Sequence, residues 1–183
     1  MQKIKVVFTF CAAILFCACC VYAELFITDI EKNADEYTVT FNNSIKISGV
    51  SLSNGKVSFP EYARGGKIYK NFSVLQREFA KKLFEDIEAN KISKTSAETA
   101  FKINKFKTIA SHKTIKAFAS VIFEEKFEVE CRIMDGKYGL WIAWPSKKIG
   151  TSWKKEFIII NKYLKNNIEN ELIQRYNKQY EQF

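Results

Sequence analysis

The sequence predicts an α+β fold in which an antiparallel sheet followed by one packed helix is laid down twice. Three observations predict it. Runs of period-two alternation precede a helical stripe in each half of the chain. A two-residue turn signal interrupts each set of strands. A proline followed by a basic, aromatic stretch then occurs at the matching place in both halves. With 183 residues, 47% hydrophobic and 15% aromatic, there is material for one core or two small ones.

Residues 1–23 stand apart from that plan. Lys3 and Lys5 precede an uncharged run from Val6 to Val21, and Val21-Tyr22-Ala23 places small residues at alternate positions, as signal-peptidase cleavage requires. The expectation is a signal peptide cleaved near Ala23 and an exported protein, periplasmic or extracellular. The rival reading is a retained membrane anchor, because about sixteen apolar residues come near the length that spans a bilayer. Cys11, Cys17, Cys19 and Cys20 lie in this leader, so Cys131 remains alone and no intramolecular disulfide can form. Cys131 falls in an alternating apolar pattern and is expected as a buried, inert thiol. Lys3 and Lys5 leave with the leader, yet the remainder keeps a clear excess of Lys and Arg over its 20 acids, which favours anionic partners.

The first unit, residues 24–90, opens with Tyr37, Val39 and Phe41 alternating with Thr38 and Thr40, then Ile45 and Ile47 alternating with Lys46 and Ser48. Asn54-Gly55 supplies the φ > 0 positions of a tight hairpin turn. Val57 and Phe59 lead to Pro60 and a charged, aromatic loop, after which Tyr69 to Phe72 resumes a strand. Ser73 and Gln76 form an S-x-x-Q capping box ahead of a helix with the stripe Phe79, Leu83 and Ile87. Residues 91–100 are polar and aperiodic, a linker.

The second unit, residues 101–183, repeats the order. Ile115, Ala117, Ala119, Val121 and Phe123 form one strand face, and Phe127, Val129, Cys131 and Ile133 another, the latter alternating with Glu128, Glu130 and Arg132. Asp135-Gly136 is expected to make the tight turn, and Leu140 to Trp144 the returning strand. Pro145 has no amide donor and ends the ladder. Phe157 to Ile160 is a further strand, and a helix from about Asn161 carries Leu164, Ile168, Leu172 and Tyr176. Paired in one chain, two such units can cover each other's open sheet edges.

FEVECRIMDGKYGLWIAWPSKK, residues 127–148, resembles the SpoVG family, the stage V sporulation or septation protein G family of bacteria. Asp135, Gly136, Gly139, Leu140, Pro145, Ser146, Lys147 and Lys148 match its pattern, and the resemblance extends over roughly Ile115 to Tyr176. The first unit keeps Asn54-Gly55, Pro60 and the general order, and is expected to be a degenerate second copy. The resemblance implies a small sheet with a packed helix, strand-paired assembly, and nucleic-acid binding with a regulatory role in sporulation or septation. Strand pairing in a two-copy chain implies a pseudo-dimer within one polypeptide, with a homodimer also open.

Binding is the activity the residues favour. Lys137, Lys147, Lys148, Lys154 and Lys155 gather around turns that contain Tyr138 and Trp153, and Arg64, Lys67 and Lys70 accompany Tyr62 and Tyr69. Such cations attract phosphate, and rings beside them can stack on unpaired bases. Two readings stand for Trp141, Trp144 and Trp153: packing in the core, or display beside the lysines. The expected partner is nucleic acid or another anionic polymer; the alternative is an exported envelope module that holds a protein or anionic polymer. The sequence offers no sign of an enzyme, metal site or cofactor. His112, in SHKT, has no triad partners, one His and one Cys are too few for a metal site, and neither a P-loop nor a dinucleotide fingerprint occurs. Glu124, Glu125, Glu128 and Glu130 cluster, with Arg132 as an available partner.

Overall fold

The computed structural model describes residues 24–109 and 113–180. The expected leader and His112 lie outside the described residues. The first half runs β1 (Ile27–Asn33), β2 (Glu36–Phe41), β3 (Ile45–Ser53), β4 (Lys56–Ser58), β5 (Glu61–Arg64), β6 (Lys67–Lys70), β7 (Phe72–Val74) and α1 (Arg77–Glu88). The second runs β8 (Phe101–Thr108), β9 (Ile115–Phe123), β10 (Phe127–Gly136), β11 (Gly139–Ala143), β12 (Ser146–Ile149), β13 (Ser152–Lys155), β14 (Phe157–Ile159) and α2 (Lys162–Tyr180). The class is α+β, with antiparallel sheets and a helix closing each series.

Each half completes its sheet with a strand from the other. One sheet is ordered β1-β2-β3-β14 with β4 also on β3; the other is β11-β10-β9-β8 with β7 also on β10. Phe157 and Ile159 pair with Ile47 and Ile45, while Phe72 and Val74 pair with Val129 and Phe127. The ladders extend by one bond each, Ser48 N to Glu156 O at 2.9 Å and Glu130 N to Asn71 O at 2.8 Å. Strands of three residues cannot hold their own place. They persist because the longer strand opposite offers amides and carbonyls that burial would otherwise leave unpaired.

The alternating apolar faces meet in one core. Phe41, Phe123, Phe127 and Phe157 are all but fully buried, with ring centroids 5.9 Å apart for Phe41 and Phe127 and 5.6 Å for Phe123 and Phe157. Each such side chain contributes on the order of 1.5–3 kcal/mol, and these contacts join the two sheets. Leu83 and Ile87 of α1 and Leu164, Ile168 and Leu172 of α2 are buried as their stripes predict, with Phe79 and Tyr176 packed beside them. α1 lies on β4 and β7, and α2 on β11, β14 and β8.

Several local expectations are corrected. Asp135-Gly136 is not the turn: both residues belong to β10, Gly136 pairs with Gly139, and the chain reverses at Lys137-Tyr138 with Gly139 at φ +102°. Gly136 answers a different need, since a Cβ there would stand 3.1 Å from Trp141 Nε1, tighter than ordinary contact. Asn54-Gly55 does turn the chain, at φ 51° and 70°. The capping box is absent: Ser73 pairs with Glu128 in the sheet, and Gln76 is the N-cap without a side-chain cap bond. Its Oε1 instead accepts a hydrogen bond from Lys126 Nζ at 3.0 Å. The stretches after Pro60 and Pro145, expected as loops, are the two-stranded hairpins β5-β6 and β12-β13. Alternation does not signal β1 and β8 because each carries a bulge, between Ile27 and Asp29 and between Ile103 and Phe106.

Candidate nucleic-acid interface

Both hairpins border a groove of about 1260 Å³. β5-β6 contributes Tyr62, Lys67, Ile68, Tyr69 and Lys70, while Ser146, Trp153 and Lys155 come from β12-β13. The floor is the outward face of β9, β10 and β11, with Phe118, Arg132 and Trp141. Phe118, Arg132 and Ala143 form one cross-strand row, and Ile115, Met134 and Trp141 the next.

Arg132 ties the floor to the first hairpin. Its Nη2 donates to Tyr62 Oη at 3.1 Å, and its guanidinium lies 5.8 Å from the Phe118 ring centroid. Tyr62 stacks on Tyr69 at 4.9 Å and 12°. The Arg132 contact thus goes to a tyrosine of the other half rather than to a neighbouring glutamate. Trp144 belongs to the core edge, its ring 5.1 Å from Phe157 and its Nε1 donating to Glu169 Oε1 at 2.9 Å. Trp141 and Trp153 do not join the core: they are 50% and 66% exposed.

Hairpin register divides the expected lysines. Cross-strand partners share a face, so Lys148 pairs with Trp153, and Ser146 with Lys155, on the groove side, whereas Lys147 and Lys154 pair on the other. Burial pushes the Glu156 carboxyl up; Lys147 and Lys154 pull it down while Glu36 opposes them, which places both lysines beside an acidic spot. Lys67 and Lys70 line the groove, and Lys70 Nζ is 3.1 Å from Glu61. Arg64 pairs with Lys67 in the β5-β6 ladder. Lys137 sits on the β10-β11 turn outside the groove, its Nζ 5.5 Å from the ring of fully displayed Tyr138. Among the described residues no ion pair involves Lys67, Lys148 or Lys155.

The residues matched to the family pattern serve the frame. Asp135 pairs with Lys116 at 3.3 Å, Leu140 packs against the core, and Pro145 O accepts from Glu156 N at 2.9 Å, anchoring the start of β14. Burial raises the Cys131 thiol to about 12, as expected of an inert group. Arg132 and Phe118 were not expected at the site, whereas Trp141 takes the displayed one of its two readings. Their signal was present: Phe118 and Met134 are apolar residues on the charged phase of their strands. Among the described residues no three potential metal ligands converge, and no helix is long and apolar enough to cross a membrane.

Fold and groove define an antiparallel α+β protein with a basic, aromatic channel between its hairpins. The SpoVG family model matches residues 98–178, within the second half of the chain. No curated protein and no solved structure matches the chain.

Proposed function

We propose that the chain is a tandem pair of SpoVG-like units, the first degenerate, that binds nucleic acid through the two hairpins in a role related to sporulation or septation. The unit boundaries would be 24–90 and 101–183, joined by 91–100, and the reciprocal strand exchange would make one chain the counterpart of a strand-paired dimer. The observation that carries the binding reading is the convergence of Lys67, Lys70, Lys155 and Arg132 with exposed Trp141 and Trp153 on one groove. Cations there meet phosphate oxygens while the rings offer surface to bases. The reading is of a binding protein rather than an enzyme.

Affinity for DNA and RNA measured against salt tests it. Each neutralised phosphate contributes about 0.7–0.9 to the log–log slope. Lys67→Ala combined with Lys155→Ala is expected to weaken binding and reduce the slope by roughly twice that amount. Lys147→Ala with Lys154→Ala, on the opposite face, is expected to leave the slope nearly intact. A slope indifferent to the groove pair would sink this site.

The apolar run Val6–Val21 favours a second reading, an exported or membrane-held envelope module that takes an anionic polymer or protein in the same groove. Amino-terminal sequencing of soluble and membrane fractions from the native cell separates them: a start at Glu24, or a start at Met1 in the membrane fraction, supports the envelope reading, and a start at Met1 in the soluble fraction the intracellular role.

A further inference from the structure

We infer that the groove takes a single-stranded segment of nucleic acid, with unpaired bases stacked on Trp141 and Trp153 and phosphates set against Lys67 and Lys155. This rests on the nucleic-acid reading above and names its substrate class.

The two indoles carry the inference. Each leaves half or more of its surface in water although an adjacent core already holds Trp144. Large apolar surface displayed on a groove wall, rimmed by charge, marks a ligand site more often than a packing fault. Gly136 leaves room for the Trp141 indole, since a Cβ there would stand 3.1 Å from Nε1.

The other rings of the groove are already engaged. Tyr62 stacks on Tyr69 and receives the Arg132 bond, and Phe118 lies beneath the guanidinium. They form a wall, leaving Trp141 on the floor and Trp153 on the facing hairpin as open platforms. Lys155 neighbours Trp153 on the same strand face, and Lys67 stands on the opposite hairpin, so cations flank the rings on both sides. A duplex keeps its base faces inside its own stack and could present only phosphate to this groove. A single strand offers both phosphate and ring.

The full chain is titrated at one salt concentration with labelled single-stranded DNA and RNA, with a duplex of the same sequence, and with inorganic polyphosphate as competitor. Single strands are expected to bind at least about tenfold more tightly than duplex and to quench tryptophan emission. Trp141→Ala and Trp153→Ala should each weaken single-strand binding by roughly tenfold while duplex affinity stays put. Trp153→Phe should recover most of the loss, and an unchanged far-UV spectrum would show that the variants fold. Equal affinity for duplex, insensitivity to either tryptophan, or displacement by polyphosphate as effective as by a single strand would overturn the base-stacking inference and leave nucleic-acid binding standing. Absence of binding to every nucleic acid would overturn both.

Discussion

The two halves share a backbone plan and diverge in chemistry. At the β2-β3 corner, Asn42 and Asn43 take φ 50° and 52°; at the β9-β10 corner, Glu124 and Glu125 take φ 47° and 55°. Asn42 Oδ1 accepts from Phe26 N, and Glu124 Oε1 accepts from Ala100 N, so two different side chains close the same turn on the strand before it. Outside the corners, Glu31 faces Lys46 in the first half, and Lys105 faces Glu128 in the second, with the charges reversed. On the hairpins, Tyr62 pairs with Tyr69 where Lys147 pairs with Lys154. The exchanged strands and the common phenylalanine core constrain where the backbone runs. They leave the outward residues free to differ, and only the first hairpin bonds Arg132, through Tyr62.

Cutting the halves apart tests the shared plan most severely. Residues 101–180 alone would lose β7 from β10 and leave β14 without β3, exposing ladder edges and the Phe72 and Phe41 contacts of Phe157 and Phe127. Either half expressed by itself is expected to show no cooperative thermal transition and to aggregate. Cleavage within the exposed linker 91–98 of the folded chain should instead yield fragments that co-elute as one species. A half that folds cooperatively and stays monomeric would show that the exchange is dispensable.

The reversed ion pairs predict unequal sensitivity. Glu128 is 5% exposed, and although burial pushes its carboxyl up, hydrogen bonds from Ser120, Asn104 and Lys105 outweigh that and hold it below the usual range. A lowered carboxyl contributes stability that is present above its unfolded value of 4.5 and is lost as pH falls through the folded value. Glu128→Gln is expected to cost about 1–3 kcal/mol at neutral pH and to remove part of the acid sensitivity. Glu31, about half exposed, is expected to tolerate Gln with little change. Denaturant unfolding of both variants at neutral and acid pH decides this; equal losses would contradict the burial argument.

Much of the frame is legible in the sequence because alternation and stripes report burial directly. Val129, Ile133, Ile168 and Leu83 are buried where their spacing places them. The rest requires distant partners. Nothing local announces that Phe157 pairs with Ile47 or Phe72 with Val129, since strand exchange depends on which edge is open elsewhere in the chain. The groove is half visible: Lys67, Lys70 and Lys155 stand out by their clustering, but hairpin register, which a stretch resembling a loop does not disclose, turns Lys147 and Lys154 away. Asp135-Gly136 misleads because Gly136 is demanded by an indole five residues on rather than by a positive φ.

The corners give the finest test, because the matching turn of the first half carries Asn where the second carries Glu. Glu124 is 3% exposed, its Oε2 has no hydrogen-bond partner among the described residues, and burial raises its carboxyl despite the Ala100 amide and Lys126. A raised carboxyl favours folding below its unfolded value and loses that contribution as pH rises through the folded one, so near neutral pH the ionised group opposes folding. Glu124→Asn should reproduce the Asn42 turn and stabilise by about 1 kcal/mol at neutral pH, since Asn tolerates the left-handed region and carries no charge into the interior. The gain should shrink on acidification, when Glu124 takes up its proton. Glu125 shares the backbone conformation but is exposed, so Glu125→Asn isolates the conformational part: a gain of roughly 0.5 kcal/mol. Thermal unfolding of both variants at neutral and acid pH reads the two contributions separately, and a gain at Glu124 that does not shrink on acidification would show that burial of the charge is not what distinguishes these corners.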